Sequence, residues 1–227
     1  MKNKNKKNPV VSIVGGITAA AVIIGTIAFL TSLDETTNVF SAGNVSITLT
    51  EPDYNPDDAK NMIPYQEVEK NPKIQNNSSN EIYVFLRITV PVSKGTELNE
   101  DGTAKDGNTP KLQELFYLKT KNNEELKTDF HSEWIELNEV ETGKDYAEGT
   151  TERTYVFAYN QILNPNEQTE ISPFDKVQLK NLKEQPVPDT VTQVIGVEAF
   201  AIQADNLDGI GSEMNENNLT QVYKLIK

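Results

Sequence analysis

Apolar and polar residues alternate with a period of two along much of this chain, the signature of half-buried strands. Val45, Ile47 and Leu49 alternate with Ser46, Thr48 and Thr50 until Pro52 and Pro56 stop the pattern, and Asp57–Asn61 reads as a short turn. Tyr65–Ile74 is expected to be extended, with Pro64 and Pro72 at its edges. After the turn cluster Asn76-Asn77-Ser78-Ser79-Asn80 comes the strongest strand, Ile82–Val90. One face carries Ile82, Val84, Leu86, Ile88 and Val90 and is expected to be the core face, while the other carries Tyr83, Phe85, Arg87 and Thr89. Ser93–Pro110 is polar and glycine-containing, an insertion expected outside the core. Lys111–Lys119 places Leu112, Leu115, Phe116 and Leu118 at spacings that fit a short amphipathic helix better than a strand. Further strands are expected around Trp134 (Phe130–Leu137), at Thr154–Tyr159, Phe174–Leu182 and Thr190–Ala204, with an acidic loop at Glu139–Thr151 and a terminal helix at Leu219–Ile226.

Strands separated by prolines and polar turns, with brief helical patches and no βα alternation, predict an all-β fold, an antiparallel β-sandwich. The expected organisation is one domain over 44–227, with its insertion at about 93–110, behind a mobile segment at 29–43 and a leader at 1–28.

The leader has Lys2, Lys4, Lys6 and Lys7 before an uncharged run, then Thr26-Ile27-Ala28, whose small residues suit signal peptidase and place the cut between Ala28 and Phe29. The uncharged run Val10–Leu30 is 21 residues long, enough to span a bilayer at about 1.5 Å per residue, so an uncleaved anchor stays open beside a signal peptide. The Gly15-Gly16 pair, Pro9 and Thr26 make a weak permanent helix and weigh toward cleavage. The lysines keep the N-terminus inside, so the remainder lies outside under either reading, and the membrane is touched through the leader only.

The net charge is −13, and it becomes −17 without the leader, with 17 basic against 34 acidic residues. Such a surface repels nucleic acid and anionic lipid. Cysteine is absent, which excludes disulfides and cysteine nucleophiles. His131 is the one histidine, so the two-histidine zinc-peptidase motif is missing, no serine sits in a Gly-x-Ser-x-Gly elbow, and His131 reads as a surface or strand-end residue. No catalytic residue and no metal ligand is assigned. Oxygen ligands for calcium stand near a glycine turn at Asn99-Glu100-Asp101-Gly102 and Asp205-Asn206-Leu207-Asp208-Gly209, neither of which follows the spacing of a twelve-residue calcium loop, so solvated turns are the expected reading. No other cofactor is expected.

At Phe40-Ser41-Ala42-Gly43-Asn44-Val45-Ser46-Ile47-Thr48-Leu49-Thr50-Glu51, behind a leader ending Thr-Ile-Ala-Phe-Leu-Thr, the sequence resembles the TasA/camelysin family of Gram-positive exported proteins. The resemblance continues in Pro72–Asn76, Ile82–Pro91, Trp134, Tyr155–Leu163, Phe174–Val177 and Ala199–Ala204. It implies a secreted jelly-roll β-sandwich whose precursor is cut by the signal peptidase SipW. It also implies a structural subunit of extracellular or biofilm matrix, with self-association or other matrix proteins as partners, in which the N-terminal segment of one subunit adds as a strand to the next. Carried onto this chain, the donor runs from Phe29 to about Thr37, with Phe29, Leu30 and Leu33 as its apolar contacts. Two other readings remain: a camelysin-like surface metallopeptidase, for which the conventional ligands are lacking, and a membrane-anchored binding module.

Overall fold

The computed structural model describes residues 22–24, 45–183, 195–205, 207 and 213–226. Among them run twelve strands: β1 (Val22–Ile24), β2 (Ile47–Thr50), β3 (Glu67–Glu69), β4 (Lys73–Asn76), β5 (Ile82–Glu97), β6 (Lys111–Glu114), β7 (Phe116–Lys119), β8 (Trp134–Glu136), β9 (Glu152–Tyr159), β10 (Lys176–Leu179), β11 (Leu182–Lys183) and β12 (Gly196–Gln203). A 3-10 turn (Asn138–Val140) follows β8, and one α-helix, α1 (Glu216–Lys224), closes the described chain. Every strand pairing is antiparallel.

The organising element is β5. Its first half lies between β12 and β9, within the order β1-β12-β5-β9-β8. Past Pro91, which has no N–H to give the ladder, the strand changes partners: Val92–Gly95 pair with β6 and Thr96–Glu97 with β11. Two smaller sheets, β3-β10-β7 and β2-β4, complete the architecture.

The expected core face of β5 is the core: Ile82, Val84, Leu86, Ile88 and Val90 are at most 1 % exposed. They pack with Ile47, Val68, Ile74, Phe116, Leu118 and Val177 of the smaller sheets, and with Phe157, Val197, Ala199 and Ala201 of the large one. The first half of the opposite face is buried as well, at Tyr83 and Phe85, while Arg87 and Thr89 are half-buried. Tyr83, Phe85, Val156, Ala158 and Phe200 lie under Leu219, Val222, Tyr223 and Ile226, the i, i+3, i+4, i+7 stripe that begins in α1. Asn215 caps that helix by accepting from the Asn218 N–H at 2.9 Å. The expected terminal helix is present, shifted to Glu216–Lys224.

Two expectations are corrected. Lys111–Lys119 is not a helix but β6 and β7, broken at Leu115. Its nine residues carry too few turns for their apolar spacing to discriminate, and the pairing offered by β5 and β10 decides the conformation. The start of the supposed insertion is not outside the core either, since β5 continues through Glu97 and Thr96 and Glu97 are buried. Tyr65–Ile74 resolves into β3 and β4 with a break at 70–72, and β12 takes up the described part of the expected Thr190–Ala204 strand. No helix among the described residues is long and apolar enough to cross a membrane. The mobile segment expected at 29–43 lies outside the described residues, and of the leader only Val22–Ile24 falls within them.

Candidate functional site

Strand order leaves β12 as the penultimate strand of the large sheet, and its outer side is met, among the described residues, by β1. The register is Val22 opposite Ala201, Ile23 opposite Phe200 and Ile24 opposite Ala199. Which backbone groups face that side follows from the ladder's phase. Ala204 N–H donates to Glu81 O at 2.9 Å, continuing the β12–β5 register. Backbone groups of even-numbered residues therefore point to β5, and those of Val197, Ala199, Ala201 and Gln203 point to the outer edge.

This edge has little of the usual protection. Gly196–Gln203 contains no lysine and no proline, and its one charge, Glu198, is neutralised by Arg87 directly opposite on β5. The Arg87 guanidinium also stands 5.2 Å from the Phe200 ring centroid, on the face covered by α1. Eight residues of mostly apolar strand are a template for another strand once β1 is absent. The pattern Val197-Glu198-Ala199-Phe200-Ala201-Ile202 marks the strand in sequence, but its position at an edge depends on strand order and is not written locally.

Charged chemistry sits elsewhere and is mostly matched internally. On the polar face of the small sheet, Glu67 accepts from Lys119 at 2.7 Å and Lys176 at 2.6 Å, while Gln178 accepts from Lys119 at 3.2 Å. Burial pulls the Glu67 carboxyl upward, but the two ammonium groups outweigh it and hold its pKa below the ordinary value. Lys70 is fully buried, bonded to Glu51 at 2.7 Å and 4.6 Å from the Tyr54 ring centroid; burial pushes its pKa down against the pull of Glu51. Tyr117 donates to Glu97, and Lys105 donates to the Tyr117 hydroxyl at 2.6 Å. Glu114 of β6 accepts from Tyr146 at 2.6 Å and Tyr155 at 2.8 Å, which ties the acidic loop to the sheet.

At the β8 end, Arg153 donates to Glu141 at 2.7 Å, lies 3.6 Å from Glu136 and stacks 4.3 Å from the Tyr155 ring centroid. Burial, and then the neighbouring Glu136 carboxylate, push the Glu141 carboxyl up to about 7. Its turn is clamped on the strand: Gly143, at φ +72°, lies so near the Glu152 carbonyl that a Cβ there would sit 2.1 Å from the oxygen. Composition did not single out these buried charges, because a lysine or glutamate in a strand carries no local mark of what will cover it.

His131 precedes β8 and bonds through Nε2 to Asp175 at 2.7 Å. Its neighbour Ser132 donates to Glu133 at 3.5 Å. Among the described residues no group of three His, Asp or Glu side chains could hold a metal ion. Asp101 accepts from the N–H and hydroxyl of Thr103 at 2.9 and 2.6 Å, which closes the turn of the first calcium candidate on itself. The second lies partly outside the described residues, as do Ala28, Phe29, Leu30 and Leu33 entirely.

Comparison of the chain with protein-family models, with characterised proteins and with solved structures finds no match. Any function therefore rests on the residues themselves.

Proposed function

We propose that the chain is an exported structural subunit of TasA/camelysin type, a jelly-roll-like β-sandwich that self-associates by strand addition after its leader is cut between Ala28 and Phe29. The observation that carries this reading is the outer edge of β12. It is long and nearly uncharged, and the residues paired with it, Val22–Ile24, lie upstream of the expected cut. Removing the leader takes away that partner and leaves the outward N–H and C=O groups of Ala199 and Ala201 unpaired, which favours replacement by a strand of another copy.

The donor is the new N-terminus. In an extended Phe29–Thr37, Phe29 and Leu33 share one face and Leu30 takes the other, so a single short strand offers apolar side chains to both sides of the recipient sheet. Other matrix proteins with an exposed strand are alternative partners for the same edge. Contact with the membrane runs through the leader alone, SipW is the processing partner, and no catalytic role is assigned.

The surface charge of −17 opposes association at neutral pH, and protonating carboxylates relieves it. The test is N-terminal sequencing of the exported protein followed by sedimentation at high concentration across pH. Phe29 as first residue, with assembly increasing as pH falls toward the carboxylate range, supports the reading. A monomer at every pH contradicts it.

A further inference from the structure

We propose that Glu136 of β8 and Glu141 hold one proton between them, and that this proton latches the turn Glu141–Tyr146 onto β9 and frees it when it is lost. A buried pair of carboxyls with too few donors carries this. The Glu141 side chain is fully buried; its Oε2 takes the Arg153 guanidinium at 2.7 Å, while its Oε1 finds no donor among the described residues. Glu136 stands within hydrogen-bonding reach of Glu141 and 3.6 Å from the same guanidinium. The remaining cation, Lys144, is half-exposed, 3.5 Å from Glu141 and also bonded to Asn138. Ionised together, the two carboxyls set a second negative charge and an unpaired oxygen in the interior. One proton on Glu141 Oε1 removes the repulsion and makes that oxygen a donor to Glu136.

Few other contacts hold this turn. Thr142 and Thr154 exchange two backbone hydrogen bonds, at 3.3 and 2.9 Å, and Tyr146 donates to Glu114 at 2.6 Å. The other titratable groups facing the site are Tyr146 and Tyr155, whose hydroxyls burial pushes well above their ordinary value, so neither titrates with the pair. Arg153 Nε is buried without an acceptor, so opening the turn gives water to both orphaned atoms and lowers the cost of release. With Glu141 raised to about 7, the latch is closed in mildly acidic surroundings and opens as pH climbs through neutrality. Release stays local, because both ends of the loop are fastened separately: Leu137 N–H donates to Val156 O at 2.7 Å and Val92 N–H to Thr151 O at 2.8 Å.

The latch is independent of strand addition, and its test uses the full chain as a monomer in a mild non-ionic detergent: wild type, Glu141→Gln and Glu136→Gln. Glu141→Gln keeps a donor to Glu136 that cannot be lost, and Glu136→Gln removes the second charge. Hydrogen exchange at the Thr142 and Thr154 amides is read across pH, corrected for the intrinsic pH dependence of exchange. Protection in wild type should fall by about fivefold or more between about pH 5 and pH 8, with the β5 and β12 amides unchanged. Both variants should show no such fall. The glutamate carboxyl carbon resonances supply a second readout: one carboxyl titrating near neutrality in wild type should return to the ordinary range in Glu136→Gln. Wild type whose Thr142 and Thr154 protection is independent of pH overturns the latch. A Glu136→Gln chain as pH-dependent as wild type overturns the shared proton. Should Glu141→Gln fail to fold, Glu136→Gln and the carboxyl titration decide alone.

Discussion

The two ends of the large sheet, β12 and β8, finish in opposite ways. β8 is three residues long and is bounded by Glu133 and Glu136; Trp134 is pinned through its indole N–H to Ile171 O at 2.7 Å. Beyond it the chain folds at once into the 3-10 turn at Asn138–Val140, which is fastened to α1: Asn138 N–H donates to Glu216 at 2.9 Å, and Lys224 pairs with Glu139 at 2.7 Å. β12 has eight residues, no flanking lysine or proline, and three residues of leader as its cover. The same sheet thus presents one edge made short and charged, as edges that must not pair are, and one left long and apolar. The difference teaches where to look for association in a chain that shows no cluster of metal ligands among its described residues.

The largest expected effect comes from blocking the long edge. Ala199→Pro in the cut chain removes an outward N–H and should reduce assembly by more than about tenfold, roughly the effect of 1.4 kcal/mol, while Glu133→Ala beside β8 leaves assembly unchanged. Sedimentation of both, with Trp134 fluorescence to verify the fold, separates the edges. Next is the layer that β12 and β8 share beneath α1. Phe85 is fully buried with its ring 5.4 Å from that of Tyr223, so Phe85→Ala should cost about 3–5 kcal/mol in denaturant unfolding and loosen α1.

A smaller effect distinguishes the β8 end by pH. The Glu141 carboxyl is raised to about 7, so the protonated form favours the fold. Its contribution is complete below the ordinary carboxyl value of 4.5 and is lost as pH climbs through about 7. Relative to Glu141→Gln, which keeps an uncharged hydrogen-bonding group there, wild type should lose on the order of 1 kcal/mol between pH 5 and pH 8, allowing for screening. Thermal unfolding across that range measures it, and parallel pH profiles for the two proteins would dismiss the buried carboxyl as a contributor. The smallest effect is expected at the exposed tie between the 3-10 turn and α1: Lys224→Ala should cost no more than about 0.5 kcal/mol.

Much of this architecture is legible in residues that speak locally. The alternation in Ile82–Val90 identified both a strand and its core face, and a terminal helix was expected at Leu219–Ile226, within reach of the Glu216–Lys224 observed. Contacts distant in sequence were not legible. Tyr83 and Phe85 look like a solvent face until a helix more than a hundred residues later covers them. Lys111–Lys119 lacks the length to declare a period, and its conformation is set by β5 and β10. Lys119 and Glu67 become an ion pair through the order of a sheet whose strands are far apart in the chain. For the candidate site, the leader and the strand at 196–203 were each visible, but their juxtaposition belongs to the fold.

The most direct measurement on the central claim is residue-resolved hydrogen exchange of the cut chain, monomeric against assembled. Slowed exchange at Ala199 and Ala201 on assembly, with the β8 amides unchanged, is the outcome expected if β12 is the edge that receives a strand. Assemblies in which Ala199 and Ala201 exchange as fast as in the monomer would contradict it.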